Sequence, residues 1–512
     1  MKKLLILLLV ISAIVFSLSG CDIIDQNGNS AEGTDGIVYR ISQDKTYAEV
    51  IGYNGTDTEV TIATRYQNVP VTRIANNAFS NLSITGIIIP EGIIAIGDGA
   101  FNSCRALTNV SIPSSLTSIG KNAFRSCSCL ASITIPNGVT YIGEAAFYYC
   151  TALTNIVIPD SITAINTDTF YNCTAMTSVS ISNNVTSIGS NAFLGCTALT
   201  NVTIPSKVTS IGPASFSECD LLTRITIPDS VISIGDYAFK NCEHLETLVI
   251  GNGVTIIGRE AFSYCSDLKN ATIGNSVETI GRSAFEGCES LASITIPDSV
   301  ISIGISAFRD CTSLTTAAIG KNVTSISQGA FYGCYFLTSV NIPQGITTIN
   351  KHTFYGCAYL ASIDIPDSVT SIGESAFGNC NSLTNIVLPY GITSIGKGAF
   401  RGCSSLTSIN IPKGITSIPE SAFSGCDLIT DIVIPDGVTT IGDWAFSGKS
   451  LVSITIPDSV TQIGEYVFDH CLSLTDVYYT GSEADWAKIS NSSSGSYYLT
   501  KATIHYNYTP EE

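Results

Sequence analysis

Apolar and polar positions along this chain repeat with a period of 23 residues. The clearest marker is a phenylalanine that returns eighteen times, at positions 79, 101, 124, 147, 170, 193, 216, 239, 262, 285, 308, 331, 354, 377, 400, 423, 446 and 468. Fifteen of the seventeen intervals are 23 residues, and the first and last are 22 residues. A fixed period of this length is typical of a solenoid, in which each unit forms one coil and stacks on the next.

The spacing of apolar residues changes within each unit. Val110 and Ile112 alternate with polar residues, which predicts a strand with one buried face. Proline follows this strand in 13 of 17 units and ends it, because proline has no N–H for the ladder. Apolar residues then lie three apart, as at Phe124 and Cys127, which predicts a short helical turn. We therefore expect a β-rich solenoid, an arc of about 18 coils of 23 residues. Each coil would contain one short strand and one short helical or 3₁₀ turn, and a cap would close each end.

The consensus of the unit, LxxIxIPxxVTxIGxxAFxxCxx, closely resembles the leucine-rich repeats of the BspA-like (Treponema pallidum) class. The resemblance covers residues 74–478. Residues 37–73 look like the N-terminal β cap of that family, and residues 479–512 look like its C-terminal cap. The resemblance implies a bacterial surface adhesin that attaches to host matrix proteins or to other bacteria.

The N-terminus has the pattern of an export signal. Two lysines precede an apolar stretch from Leu4 to Phe16, which predicts that residues 1–20 are a secretory signal peptide. The sequence Leu18-Ser-Gly-Cys21 resembles a bacterial lipobox, which implies lipidation of Cys21; a plain signal peptide with an incidental cysteine is the alternative. Residues 21–36 are polar and predict a flexible tether. We expect an exported protein that is lipid-anchored in a membrane of the cell envelope and faces the extracellular side.

The charge of the chain excludes one class of partner. Only 13% of residues are charged, the formal net charge is −18 and the pI is near 4.6. Binding to nucleic acid needs clustered lysine and arginine, and the sequence has no such cluster. The sequence therefore predicts no nucleic-acid partner.

Cysteine occupies one position of the repeat. Sixteen of the 18 cysteines lie in this column, from Cys104 to Cys471, and only Cys21 and Cys129 lie elsewhere. We expect the column to consist of buried, reduced thiols that fill the inside of the helical bend. Disulfides between neighbouring coils are the alternative, since equivalent Cα atoms would be ~4.8 Å apart. Evenly spaced single thiols and four histidines form no ligand cluster, so we predict no metal and no cofactor.

The sequence offers no catalytic constellation. The four histidines are far apart, and no HExxH, P-loop or nucleophile-elbow motif is present, so we predict no catalytic residues and no enzyme activity. Two alternatives to a binding protein stay open. One is a structural or self-associating component of the envelope or a biofilm. The other is an enzyme that uses the C-terminal cap, where Asp485, Trp486 and His505 would meet.

Exposed aromatic residues are the best candidates for partner binding. Two adjacent coils carry aromatic residues at positions outside the core, namely Tyr332, Tyr335, Phe336, Tyr355 and Tyr359. Stacking of the coils should bring them together, and exposed aromatic side chains are common interface anchors. The alternative is that they only cover the coil edges. Tyr148 and Tyr149 form a smaller group, and the outward strand positions are rich in serine and threonine. The expected partners are a protein or a glycan on host or bacterial surfaces, with self-association as a further option.

Overall fold

The computed structural model describes residues 33–491 and 497–509. The expected signal peptide, the lipid-acceptor Cys21 and most of the expected tether lie outside the described residues. Across the described part of the chain, no helix combines the length and the apolarity needed to cross a bilayer.

Successive coils contribute short strands that pair in parallel and form two rows along the solenoid. The first row consists of Glu59–Thr61, Gly86–Ile88, Asn109–Ser111, Asn155–Val157, Ser178–Ser180, Arg224–Ile227, Thr247–Ile250, Asn270–Thr272, Ser293–Ile296, Thr316–Ile319, Ser339–Val340, Asn385–Ile386, Ser408–Ile409, Asp431–Val433, Ser453–Ile456, Asp476–Tyr479 and Thr503–His505. The second row consists of Val69–Ile74, Ala95–Ile96, Ser118–Ile119, Tyr141–Ile142, Ala164–Ile165, Ser187–Ile188, Ser210–Ile211, Ser233–Ile234, Ile256–Ile257, Thr279–Ile280, Ser302–Ile303, Ser325–Ile326, Thr348–Ile349, Ser371–Ile372, Ser394–Ile395, Ser417–Ile418, Thr440–Ile441, Gln462–Ile463 and Ser490–Asn491.

The register of both rows follows the sequence period. Ile225 lies beside Leu248 in the first row, and Ile188 lies beside Ile211 in the second. Because one unit makes one full turn of the solenoid, each residue lies beside the equivalent residue 23 positions later in the sequence. The apolar residue of each pair therefore always faces the same interior.

The expectation of one strand and one helical turn per coil is wrong in two details. Each coil has up to two strands, and the Ala-Phe-x-x-Cys segment forms successive hydrogen-bonded turns instead of a helix. The physical reason is that Asn122 and Ser126 have left-handed backbone conformations, with φ of 53° and 58°, which interrupt a right-handed helix. The N–H groups of Asn122, Phe124 and Ser126 donate to carbonyls of the next coil, at 2.9, 2.8 and 2.6 Å. The turns thus form a third ladder between coils.

The phenylalanines form one continuous buried column. Adjacent rings stack with centroids 5.1–6.3 Å apart along all seventeen steps from Phe79 to Phe468. The rings are at most 4% exposed. Offset stacking of this kind adds to the free energy gained by burial. The column confirms the predicted solenoid and its register.

The cysteine column satisfies a backbone group in every coil that contains it. The thiol of Cys127 donates to the carbonyl of Phe101 at 3.2 Å, and all sixteen equivalent distances lie between 2.9 and 3.4 Å. These thiols are free and buried, as expected, although the bend that they fill is not helical. Burial raises the pKa of Cys150 to about 12. Leu82 and Lys449 replace the cysteine in the two shorter coils.

Hydroxyl side chains at three other repeated positions also connect the coils. Thr177, Thr209 and Ser230 each donate to a backbone carbonyl of the preceding coil, at 3.2, 3.2 and 2.6 Å. The carbonyls that accept from Thr177 and Thr209 also accept the backbone N–H of the same residue, at 2.8 Å in both cases, so each hydroxyl adds a second hydrogen bond between coils. Serine and threonine hydroxyls at these repeat positions therefore contribute to the stacking of coils.

The two ends of the described chain depart from the repeat. At the N-terminal end, Ile37–Ile41 pairs antiparallel with Ala48–Tyr53, which in turn pairs in parallel with the first strand of the second row. The strand Arg65–Tyr66 pairs antiparallel with the same second-row strand. At the C-terminal end, the helix Glu483–Trp486 lies in sequence between the strands Asp476–Tyr479 and Ser490–Asn491, and the helix Tyr497–Lys501 precedes the last strand, Thr503–His505.

Candidate partner-binding edge

The turn segments of successive coils lie side by side and form one edge of the solenoid. We call the residues that directly follow each phenylalanine the flanking column. Most side chains of this column are exposed or half-buried, and the half-buried Tyr332 and Tyr355 belong to it. Tyr335, Phe336 and Tyr359 lie on the same edge, one or two residues after the buried cysteine. We call these five residues the aromatic patch.

The aromatic patch consists of two contact groups. The rings of Tyr332 and Tyr355 stack with centroids 5.0 Å apart and an interplanar angle of 13°. Tyr335, Phe336 and Tyr359 form a triangle with centroid distances of 5.0–5.3 Å. The side chains of the triangle are 45–47% exposed. The structure thus brings the predicted residues together within each group, and the triangle is the more open of the two.

Charged and polar neighbours fix the first group. The guanidinium of Arg309 lies 4.6 Å from the ring centre of Tyr332, a cation–π contact. Glu286 and Asp310 lie 3.7 and 3.2 Å from the same guanidinium, so its charge is neutralised locally. On the far side, the amide nitrogen of Asn379 donates to the hydroxyl of Tyr355 at 2.9 Å.

His352 adds a titratable ring to this group. Its ring centre is 6.1 Å from that of Tyr332 and 5.5 Å from that of Tyr355, in edge-on geometry. Burial lowers the pKa of His352, and the neighbouring Lys351 lowers it further. The imidazole is therefore neutral at physiological pH and packs as a weakly polar ring.

A second stack with the same three residue types lies elsewhere on the edge. The guanidinium of Arg125 is 4.3 Å from the ring centre of Tyr148, and the ring of Tyr148 stacks on that of Tyr171 at 4.5 Å and 13°. Tyr149 packs beside both tyrosines, at 4.8 and 5.7 Å. Sequence reasoning singled out Tyr148 and Tyr149 but missed Arg125, Tyr171 and Arg309. Reading the flanking column through consecutive coils reveals Arg-Tyr-Tyr twice.

The three residues suggested as a catalytic group at the C-terminal end have separate partners. His505 Nε2 lies 2.7 Å from Asp476 Oδ1, and the hydrogen bond from His505 lowers the pKa of Asp476. Asp485 pairs with Lys488 at 2.8 Å, and Trp486 contacts Tyr479 with ring centres 5.0 Å apart. Each of the three side chains is thus engaged by a different neighbour, and among the described residues no hydrogen bond, ion pair or ring contact joins them to one another.

The strand face has shallow polar depressions. One of about 700 Å³ and one of about 460 Å³ lie over the first-row strands between residues 270 and 342. Thr272, Thr295, Ala318 and Asp364 contribute to their lining. Within residues 33–491 and 497–509, no three histidine, cysteine, aspartate or glutamate side chains are placed to hold a metal ion.

Comparison with protein families identifies the repeat. A family model described as "BspA type Leucine rich repeat region (6 copies)" matches residues 67–177, 163–291, 255–383 and 347–475. These overlapping matches span most of the solenoid. No curated protein matches the chain.

Solved structures of leucine-rich repeat proteins are similar to this chain. A leucine-rich repeat protein from Bacteroides ovatus is 26% identical, with a TM-score of 0.52, over 92% of this chain and 98% of that chain. A leucine rich cell surface protein from Faecalibacterium prausnitzii is 26% identical over 90% of this chain and 97% of that chain, with a TM-score of 0.30. A T. pallidum leucine-rich repeat protein is 22% identical over 46% of this chain and 88% of that chain, with a TM-score of 0.26.

Proposed function

Because the chain belongs to the BspA-type leucine-rich-repeat family of bacterial surface proteins, we propose that it is a non-catalytic surface adhesin. In this proposal the chain is exported, carries a lipid on Cys21 and is held to the cell envelope by that anchor, facing outward. The solenoid binds a protein or a glycan on host or bacterial surfaces. Its length allows many weak contacts to act together, which raises avidity without any single strong contact.

The exposed aromatic triangle is the observation that carries this proposal. Tyr335, Phe336 and Tyr359 keep nearly half of their surface accessible although they contact one another. Tyrosine and phenylalanine bury a large area on binding and lose little side-chain entropy, so they are favoured anchors in interfaces. Backbone hydrogen bonds to the neighbouring coils hold the turns that carry these residues. Little conformational entropy is therefore lost when a partner binds.

The regularity of the coil supports a binding role without catalysis. A side chain repeated in nearly every coil has the same neighbours each time, and the polar side chains at these positions donate to backbone carbonyls, as Cys127 and Thr209 do. Such groups serve the stacking of the coils. The aromatic patch, by contrast, occurs in only two coils and lies on the open edge.

Replacement of the whole aromatic patch tests the proposal. All five aromatic residues are changed to serine in the chain, and binding to immobilised fibronectin, laminin, collagen and whole bacterial cells is compared with wild type. We expect binding to fall by about tenfold or more, because several interface anchors are removed at once. A matched control changes Tyr390, which is 89% exposed and lies outside the patch, to serine.

Two results would contradict the proposal. The first is unchanged binding to every ligand that wild type binds, with circular dichroism showing an intact fold. The second is a loss of binding in the Tyr390→Ser control that equals the loss in the patch variant. Analytical ultracentrifugation over a wide concentration range separates an adhesin from a self-associating envelope component, since only the latter forms larger species by itself.

A further inference from the structure

The two Arg-Tyr-Tyr stacks differ in the charge around the arginine. Arg125 and Arg309 are 184 residues apart, which is eight units of 23. Arg309 is paired with two carboxylates, whereas Arg125 forms no ion pair within the described part of the chain. Its guanidinium donates one hydrogen bond, to Oδ1 of Asn122 at 3.3 Å. Arg125 is exposed, so its positive charge is open to a ligand.

An open, polar depression adjoins Arg125. We call it the asparagine depression; its volume is about 330 Å³, and its polar lining consists of Asn76, Asn77, Asn102, Asn122, Lys121, Arg125 and the acidic Asp98. The carboxylate of Asp98 accepts a hydrogen bond from the backbone N–H of Lys121 at 2.7 Å. This volume is at the lower end of the ~300–1,000 Å³ range of small-ligand sites. Lys121 is engaged by Glu144 at 2.9 Å, which leaves the guanidinium of Arg125 as the better partner for an anion.

The asparagine side chains face this depression mainly as hydrogen-bond donors. The amide oxygens of Asn76, Asn102 and Asn122 already accept hydrogen bonds from protein groups, at 2.8, 3.3 and 3.3 Å. Their amide nitrogens donate to no protein group in the described ranges. A ligand rich in acceptor oxygens would satisfy these nitrogens, because each amide nitrogen carries two donors.

Local charge distinguishes between a small anion and a polyanion. Residues 73–144 contain four basic and three acidic residues, whereas the whole chain has a net charge of −18. A ligand with a single carboxylate meets a locally neutral to positive surface. A long polyanion would extend over the acidic remainder of the solenoid and would be repelled.

The tyrosines next to Arg125 supply the apolar part of the site. Tyr149 is 40% exposed and packs against Tyr148, which Arg125 covers. A pyranose ring presents apolar C–H groups on its face and oxygen atoms around its rim. We propose that Arg125, the adjoining tyrosines and the asparagine depression form a binding site for a glycan that ends in a carboxylated pyranose. The carboxylate binds Arg125, the hydroxyl groups bind the asparagine amides and the ring face packs on tyrosine.

Calorimetric titration of the full chain in mild detergent tests this site. The probes are 3′-sialyllactose, which ends in a carboxylated pyranose, and lactose, which is its neutral core. We expect 3′-sialyllactose to bind at least about tenfold more tightly than lactose, because a charge-assisted hydrogen-bond pair is lost with the carboxylate. The substitution Arg125→Gln should abolish this preference, and the matched substitution Arg309→Gln should leave it unchanged.

Several outcomes would overturn the site. They are equal affinity for the two probes, absence of binding by both, tighter binding of heparin than of 3′-sialyllactose, or an equal effect of the two arginine substitutions. Thermal melting of each variant shows whether the fold is kept, and Tyr149→Ser provides a second substitution that should weaken binding of both probes. The serine variant of the aromatic patch should bind 3′-sialyllactose as tightly as wild type. The two sets of variants therefore test the glycan site and the proposed adhesin function independently.

Discussion

Two adjacent columns of the solenoid, the phenylalanine column and the flanking column, follow opposite rules. The first contains the same residue in eighteen coils, whereas the second changes from coil to coil and includes Arg125, Tyr148, Leu194 and Lys240. The phenylalanine rings have the same neighbours in every coil, so any other side chain would leave a void or a clash. Most flanking side chains are exposed or half-buried and vary from coil to coil, although Ser217, Ser263 and Ser447 are buried. Residues that are neighbours in the chain therefore have different roles. The phenylalanine determines the fold, and the residue after it is available to contact a partner.

The largest expected difference between the columns is in stability. Phe400 is fully buried, with ring centres 5.5 and 5.7 Å from its two neighbours, whereas Arg401 beside it is exposed. Phe400→Ala should lower the free energy of unfolding by ~3–5 kcal/mol, because it leaves a cavity in the column. Arg401→Ala should change it by less than ~0.5 kcal/mol. Urea denaturation followed by circular dichroism measures both, and equal costs would break the distinction between the columns.

A smaller effect is expected where a repeated side chain connects coils at the surface. Thr209 Oγ1 donates to the carbonyl of Thr186 at 3.2 Å, but the backbone N–H of Thr209 donates to the same carbonyl at 2.8 Å. Thr209→Val should therefore lower the free energy of unfolding by only ~0.5 kcal/mol, the lower limit for a lost hydrogen bond. The control is Thr203→Val, since the Thr203 hydroxyl donates no hydrogen bond among the described residues. A larger cost for Thr203→Val than for Thr209→Val in the same denaturation experiment would show that the hydroxyl ladder does not stabilise the stacking.

The sequence predicts the solenoid and its register because a strict period leaves one way to bury every phenylalanine. It does not predict the turn segment correctly. Apolar residues three apart are typical of a helical turn, but they also fit turns that contain a left-handed residue such as Ser126, and hydrophobic spacing does not report the sign of φ. The second row of strands was missed because two-residue strands, such as Ser187–Ile188, are too short to show alternation.

The candidate site was predictable only in part. Tyr335, Phe336 and Tyr359 stand out in the sequence because aromatic residues are unusual at their repeat positions. Arg125 does not, because an exposed arginine is ordinary on a surface and its contact with Tyr148 crosses from one coil to the next. The difference between Arg125 and Arg309 depends on where neighbouring carboxylates point, which only coordinates show.

Thiol accessibility in the folded chain tests most directly whether the repeated positions form one closed, continuous column. The folded protein is treated with a thiol reagent, and modified cysteines are mapped by mass spectrometry of peptides, with an unfolded sample as reference. Cys129 is exposed, whereas the sixteen column cysteines are buried. Burial raises the pKa of the column thiols, and that of Cys196 is raised to about 12. We predict modification of Cys129 alone among these seventeen before unfolding, and of all of them afterwards. Ready modification of column cysteines in the folded chain, or disulfides that link each to its counterpart in the next coil, would contradict the account.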